Sequence, residues 1–186
     1  IAKVLRKFPE LQDIILPTAS SAPRKEIPMT STRSYTDRQK QLEHIMTVDI
    51  PENSKEIEVA RSYGDLRENA EFKYAKERQG LLMAQGAQLA EDLEKVKPSE
   101  FADASTGKVS AGCGVQLAYA DGSTETYYIL GVWDQDETLS IISCETRLAK
   151  ALLGHGEGDT VEIPSGECEL KAVLPLPESI KAWIRG

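Results

Sequence analysis

Surplus positive charge is what this sequence most clearly lacks. Its formal net charge is −8 and its pI is near 4.9. Autonomous nucleic-acid binding needs a cationic surface that displaces phosphate counterions, so any contact with nucleic acid must be local or made inside a complex. Aromatic residues are scarce at 6%, against a hydrophobic fraction of 40%, which argues against one large core across 186 residues. An elongated piece joined to a compact one fits better. Cysteine is also sparse: Cys113, Cys144 and Cys168 are odd in number, widely spaced and form no C-x-x-C pair. With two histidines in the chain, a Cys/His zinc site is not expected, and the thiols read as small buried hydrophobes of a reducing compartment. No apolar run of about 18 residues occurs, so no transmembrane helix is expected. The start carries neither Met nor a signal-peptide pattern. Ile1 therefore reads as an internal position of a longer cytoplasmic chain.

Helical patterning dominates the first half. Val4, Leu5, Phe8, Leu11, Ile14, Ile15 and Leu16 recur at spacings of three and four around Pro9, and a Pro/Ser-rich stretch follows. Residues 1–30 thus read as a short helix and linker, the possible remnant of an upstream domain. From residue 31 the pattern is that of a long arm. Thr30-Ser31-Thr32 can cap its start, and Tyr35, Leu42 and Ile45 form its stripe. Pro51 must kink or restart that helix, because it removes one backbone donor. Ile57, Val59 and Ala60 continue the apolar content, and Gly64 ends the arm.

A second arm is expected from about Leu66 to Lys97, stopping at Pro98. Asp65 is its cap and Glu68 the far half of a capping box. Ala75, Leu82, Leu89 and Val96 repeat every seven residues, with Phe72 and Leu93 one turn away. Residues 31–98 therefore predict an antiparallel hairpin with its tip at about 62–71, each arm about 45 Å long.

After Pro98 the period changes to that of strands. Val115–Tyr119 alternates, Asp121-Gly122 is a hairpin turn, and Thr124–Leu130 returns. Leu139–Ile142, Thr160–Ile163 and Cys168–Leu174 read as further strands, and Thr146–Leu153 as a helix ended by Gly154. Residues 104–176 predict a small antiparallel sheet with one helix. The tail 177–186 carries Ile180, Trp183 and Ile184 at helical spacing, facing the sheet or a partner. The fold class is α+β.

Two stretches carry a resemblance. Ala60-Arg61-Ser62-Tyr63-Gly64-Asp65-Leu66-Arg67-Glu68-Asn69-Ala70-Glu71-Phe72 is similar to the A-R-x-x-G-D-x-x-E-N-A-E-[YF] tip of the bacterial Gre transcript cleavage factors (GreA/GreB). Ile142-Ser143, Ala149–Gly154 and Gly158-Asp159 resemble that family's I-S-x-x-S-P-x-A-x-A-L-[IL]-G…G-D segment. The likeness covers about residues 31–174. It implies an N-terminal coiled-coil hairpin and an FKBP-like sheet-and-helix domain. It also implies a factor that is not itself an enzyme and acts as a monomer on RNA polymerase. The hairpin would enter the polymerase's secondary channel and stimulate Mg²⁺-dependent cleavage of the nascent RNA 3′ end.

On that resemblance Asp65 and Glu68 would assist catalysis by holding the second Mg²⁺, which is bound only in the complex. Tyr63, Gly64 and Asn69 would support the tip. Arg61, Arg67, Lys73 and Lys76 are candidates for RNA contact, and Glu145, Thr146 and Arg147 for polymerase contact. Arg147 departs from the family's proline, which puts that loop's geometry in question, and Asn53 and Ser54 are polar where relatives carry aliphatics. Bottom-up, the chemistry agrees: Mg²⁺ takes hard oxygen ligands, often only one or two carboxylates. Taken alone, Asp65 and Glu68 would be an ordinary cap and capping box. Competing readings are a polymerase-binding regulator without cleavage, a coiled-coil scaffold, and a prolyl isomerase built around Tyr119, Tyr127, Tyr128 and Trp133.

Overall fold

The computed structural model describes residues 27–64 and 69–186. The sequence-expected helix and linker before residue 27, and Asp65, Leu66, Arg67 and Glu68 at the tip, lie outside the described residues.

The hairpin rises from a two-stranded base. Strand β1 (Met29–Ser31) runs parallel to β2 (Lys97–Ser99), Met29 opposite Lys97 and Ser31 opposite Ser99. Residues 29–31 therefore belong to the fold rather than to a linker, and Thr30 and Ser31 are fully buried. Their strand partner lies 68 residues further along the chain, so no local pattern announced it. Helix α1 (Thr32–His44) starts on Ser31, whose hydroxyl accepts the Ser34 N–H at 3.1 Å, as a cap should.

Pro51 restarts the helix without breaking the arm. A π-helical turn (Ile45–Asp49) precedes α2 (Ile50–Ser62), and the Ile50 N–H donates to the Ile45 carbonyl, one residue further back than in an α-helix. Pro51 then falls in the first turn of α2, where a missing donor costs little. Beyond Tyr63, Gly64 takes φ +100°, a left-handed conformation.

Helix α3 (Ala70–Lys95) is capped by Asn69 rather than by the expected Asp65, and Asn69 accepts the Phe72 N–H at 2.9 Å. It ends at Lys95 because Lys97 and Pro98 are drawn into β2. The seam between the arms holds Ile45, Ile57 and Ala60 against Ala75, Gly86, Leu89 and Val96. Leu82, expected in that seam, is only half-buried. Gly86 takes a seam position instead, and a Cβ there would touch Ile45, Leu42 and Met46 at 3.7–3.8 Å. Asn53 is 1% exposed and donates to the Ala75 carbonyl at 3.0 Å, a polar bond inside an otherwise apolar seam.

The globular part is a five-stranded sheet ordered β5-β4-β3-β7-β6. Its strands are β3 (Cys113–Tyr119), β4 (Thr124–Leu130), β5 (Ile141–Ser143), β6 (Thr160–Ile163) and β7 (Gly166–Leu174). Gly122 makes the β3–β4 turn with φ +83°. The sheet is not wholly antiparallel: β5 runs parallel to β4, Tyr128 opposite Ile141. The loop 131–140 carries the chain back alongside β4, so that it enters β5 in the direction of β4. Helix α4 (Arg147–Leu152) covers one face and buries Ala149 and Leu152 on Val115, Leu117, Ile129 and Leu170.

A second helix joins this part where one was expected. Helix α5 (Glu178–Arg185) buries Ile180 and Ile184 against Phe101, Leu130, Ile141 and Leu176. All three cysteines are free. Cys113 and Cys168 are buried, and burial pushes their thiols above the ordinary range, as befits packing residues. Among the described residues, no helix is long and apolar enough to cross a membrane.

Candidate functional site

Two described ends frame the acidic tip. The first arm stops at Gly64 and the second starts on Asn69. Asn69 also spans the arms, donating from Nδ2 to the Ala60 carbonyl at 2.7 Å. One side chain thus caps α3 and ties it to the last turn of α2. Tyr63 is 67% exposed beside it. The Arg78 guanidinium meets Glu56 at 2.6 Å and clamps the arms further down.

The basic candidates fall into two groups. The Arg61 guanidinium lies over the Phe72 ring, 5.9 Å from its centroid, so it stiffens the tip as well as charging it. Lys73 and Lys76, three residues apart, share one face of α3 and are exposed, and Lys76 donates to Gln79 at 2.6 Å. Arg67 lies outside the described residues with Asp65 and Glu68. A feature the sequence did not signal is a groove of about 830 Å³ beside the tip, where Val59 and Tyr74 join Tyr63 as exposed apolar groups. Val59, counted with the apolar content of the first arm, lies exposed on α2.

Among the described residues, no cluster of three or more His, Cys, Asp or Glu could hold a metal. The carboxylates the sequence reading assigned to Mg²⁺, Asp65 and Glu68, lie outside the described residues. Such a set suits an ion that keeps most of its waters.

The loop at Glu145-Thr146-Arg147 is tightly organised. The Ser143 hydroxyl accepts the Glu145 N–H at 3.2 Å and donates to the Val132 carbonyl at 3.0 Å. Thr146 donates its hydroxyl proton to the Ser143 carbonyl at 2.8 Å and accepts the Ala149 N–H at 3.2 Å, capping α4. Arg147 is the first residue of that helix, where an N–H needs no helical partner. Arginine therefore costs the helix no backbone bond at this position, and Thr146 supplies the cap. Glu145 pairs with Lys150 at 2.5 Å.

The aromatic set counted for a proline pocket is dispersed. Tyr119 and Tyr127 line a groove of about 780 Å³ with Leu148 and Ile163, and both hydroxyls donate to Glu125 Oε2, at 2.8 and 2.5 Å. Burial first, then the Glu125 bond, pushes the Tyr119 hydroxyl well above its ordinary value. The Tyr127 and Tyr119 hydroxyls hold the Glu125 carboxyl below its own. Trp133 is committed elsewhere, stacked on Tyr35 at 6.3 Å with Arg38 over its ring at 4.2 Å.

The chain is similar to known proteins over most of its length. Residues 27–97 match the family model described as the N-terminal part of the transcription elongation factor, and residues 104–173 the model of the GreA/GreB C-terminal part. Transcription elongation factor GreA of Treponema pallidum (strain Nichols) is 38% identical over 142 residues, covering 76% of this chain and 88% of the relative. Transcription elongation factor GreA of Chlamydia trachomatis serovar D is 32% identical over 173 residues, 93% of this chain but 24% of that protein. The chain thus spans about a quarter of the length of the chlamydial relatives it matches. A crystal structure of GreA factor homolog 1 from Thermus thermophilus aligns at 21% identity and a TM-score of 0.36, covering 78% of this chain and 97% of that one.

Proposed function

The chain belongs to the GreA/GreB family of transcription elongation factors, and from that premise we propose that it binds RNA polymerase and stimulates Mg²⁺-dependent cleavage of backtracked nascent RNA. In this reading the chain is an accessory factor, monomeric and cytoplasmic, and the polymerase performs the chemistry. The supporting observation is the frame of the tip. Gly64 ends one arm with φ +100°, and Asn69 starts the other while bonding back to Ala60 at 2.7 Å. Between them the sequence offers Asp65 and Glu68, at the end of arms about 45 Å long.

Each part then has a task. The globular domain docks through the Glu145–Arg147 loop, and the hairpin supplies reach through the secondary channel. Arg61, Arg67, Lys73 and Lys76 counter the charge of the RNA 3′ end locally, within a protein whose net charge of −8 prevents general binding. Asp65 and Glu68 would hold Mg²⁺ together with polymerase acids. When bound, the ion supplies charge neutralisation at the phosphodiester and at an attacking water.

The test is a transcript-cleavage assay on stalled, backtracked polymerase complexes. Wild-type chain should shorten the RNA from its 3′ end, while Asp65→Asn and Glu68→Gln should leave it intact. If wild type and both variants behave alike, the cleavage reading fails, and a polymerase-binding regulator without cleavage is what remains.

A further inference from the structure

A buried carboxylate lies where the hairpin meets the sheet domain. Asp134 is fully buried and accepts four hydrogen bonds from neutral donors. Its Oδ1 takes the Ser31 hydroxyl at 2.6 Å and the Thr30 hydroxyl at 3.1 Å, and its Oδ2 takes the Ser31 and Gly131 N–H groups at 2.8 Å each. A buried carboxylate is costly unless its lone pairs are met, so this geometry is held as a unit. Three of the four donors come from β1 at the foot of the first arm.

The same loop seals the joint in other ways. The Val132 N–H donates to the Met29 carbonyl at 2.8 Å. A Cβ on Gly131 would come 2.2 Å from that carbonyl oxygen and 2.3 Å from the Thr30 Cα, so only glycine lets the strand approach. Trp133 stacks on Tyr35 in the first turn of α1. On the far side, the Val132 carbonyl accepts the Ser143 hydroxyl, which also receives the Glu145 N–H. A continuous set of bonds therefore runs from the Glu145–Arg147 loop through Val132 and Asp134 to the cap of α1.

We infer that Asp134 is a positioning residue that sets the pitch of the hairpin relative to the docking loop, and so decides where the tip arrives. This rests on the cleavage reading above. The lever arm makes it matter: a tilt of about 5° at the base of a 45 Å arm displaces the tip by roughly 4 Å. Misplacement by about 1 Å can already cost on the order of 10²-fold in rate.

The experiment compares full-length wild type with Asp134→Ala, Asp134→Asn and Gly131→Ala. Small-angle X-ray scattering reads hairpin orientation, and the cleavage assay is run across factor concentration. Asp134→Ala and Gly131→Ala should broaden the scattering-derived distance distribution. They should lower the cleavage rate at saturating factor by about 10-fold to 10²-fold, with half-saturating concentration little changed because the docking loop is intact. Asp134→Asn, which keeps one carbonyl oxygen, should fall between. A merely structural residue would lower thermal stability without separating those two kinetic quantities. Wild-type scattering together with a wild-type saturating rate in either alanine variant overturns the inference. If Asp134→Ala fails to fold, Gly131→Ala decides alone. If wild type itself shows no cleavage, the function reading fails and scattering alone decides the positioning role.

Discussion

The hydroxyl of Ser31 donates to Asp134 across 103 residues of sequence, at 2.6 Å, and accepts the N–H of Ser34 at 3.1 Å. The hydroxyl points its hydrogen at the carboxylate, which leaves an oxygen lone pair free for the helix end. A helix cap and an interdomain bond are thus the same atom. The carboxylate also lies at the positive end of α1, where negative charge is favoured.

Replacing Ser31 with Ala should therefore cost more than a surface cap. Loss of the cap alone costs about 1 kcal/mol, with roughly 2 kcal/mol as the upper end. Removing a donor from buried Asp134 pushes the change toward the upper end. Urea denaturation followed by circular dichroism measures it. A loss below a few tenths of a kcal/mol would show that the Thr30 hydroxyl and backbone donors suffice.

Local patterns in the sequence carried the arms, the Gly64 stop, the Asp121-Gly122 turn and most strands, because these follow from short-range periodicity and turn chemistry. The features it hid are long-range. Asp134 looks like any loop acid until Thr30 and Ser31 fold against it. Gly86 has no apolar signature, yet it occupies the seam because the facing Ile45 and Leu42 fill its space. The parallel pairing of β5 depends on the path of the 131–140 loop, which alternation of residues does not encode. At the tip the motif was legible, but the cap shifted: Asn69 serves α3 because its amide can bond both Phe72 and Ala60.

Asn53 provides a second test of polar bonding in an apolar seam. Its side chain is 1% exposed and donates to the Ala75 carbonyl at 3.0 Å and to Glu56 at 3.2 Å. Asn53→Ala removes a buried bond and leaves a void, and should destabilise the hairpin by about 1–3 kcal/mol. Hydrogen exchange of the α2 and α3 amides reports it directly. Asn53→Leu, which fills the void with apolar atoms, should recover part of that loss. Equal protection in wild type and Asn53→Ala would show that the bond contributes nothing net.

Glycine-to-alanine changes on the hairpin should have opposite signs at two positions. Gly64 has φ +100°, so an added methyl meets no atom of the described residues within 4 Å but strains the backbone. Gly64→Ala should destabilise by roughly 1–2 kcal/mol. Gly80 lies within α3, also with nothing within 4 Å of an added Cβ. There Gly80→Ala should stabilise by about 0.5–1 kcal/mol through helix propensity and a less free unfolded chain. A thermal midpoint that rises for Gly64→Ala would contradict the left-handed turn there, and one that falls for Gly80→Ala would contradict the open helical position.

The C-terminal helix should respond to acid through Asp136. Its carboxylate accepts the Trp183 indole N–H at 3.0 Å, and the Thr138 hydroxyl first, with backbone and indole donors, holds it below its ordinary value of 3.8. A carboxyl depressed in the folded state contributes stability that is complete above pH 3.8 and fades as pH falls through the lower folded value. In a Trp133→Phe background, Trp183 emission should therefore stay constant as pH is lowered to 3.8 and shift red only below it. Asp136→Ala should show the red shift already at neutral pH, because the indole loses its acceptor. Asp136→Ala emission matching the parent at neutral pH would mean that Ile180 and Ile184 alone hold the helix, their burial outweighing the indole bond.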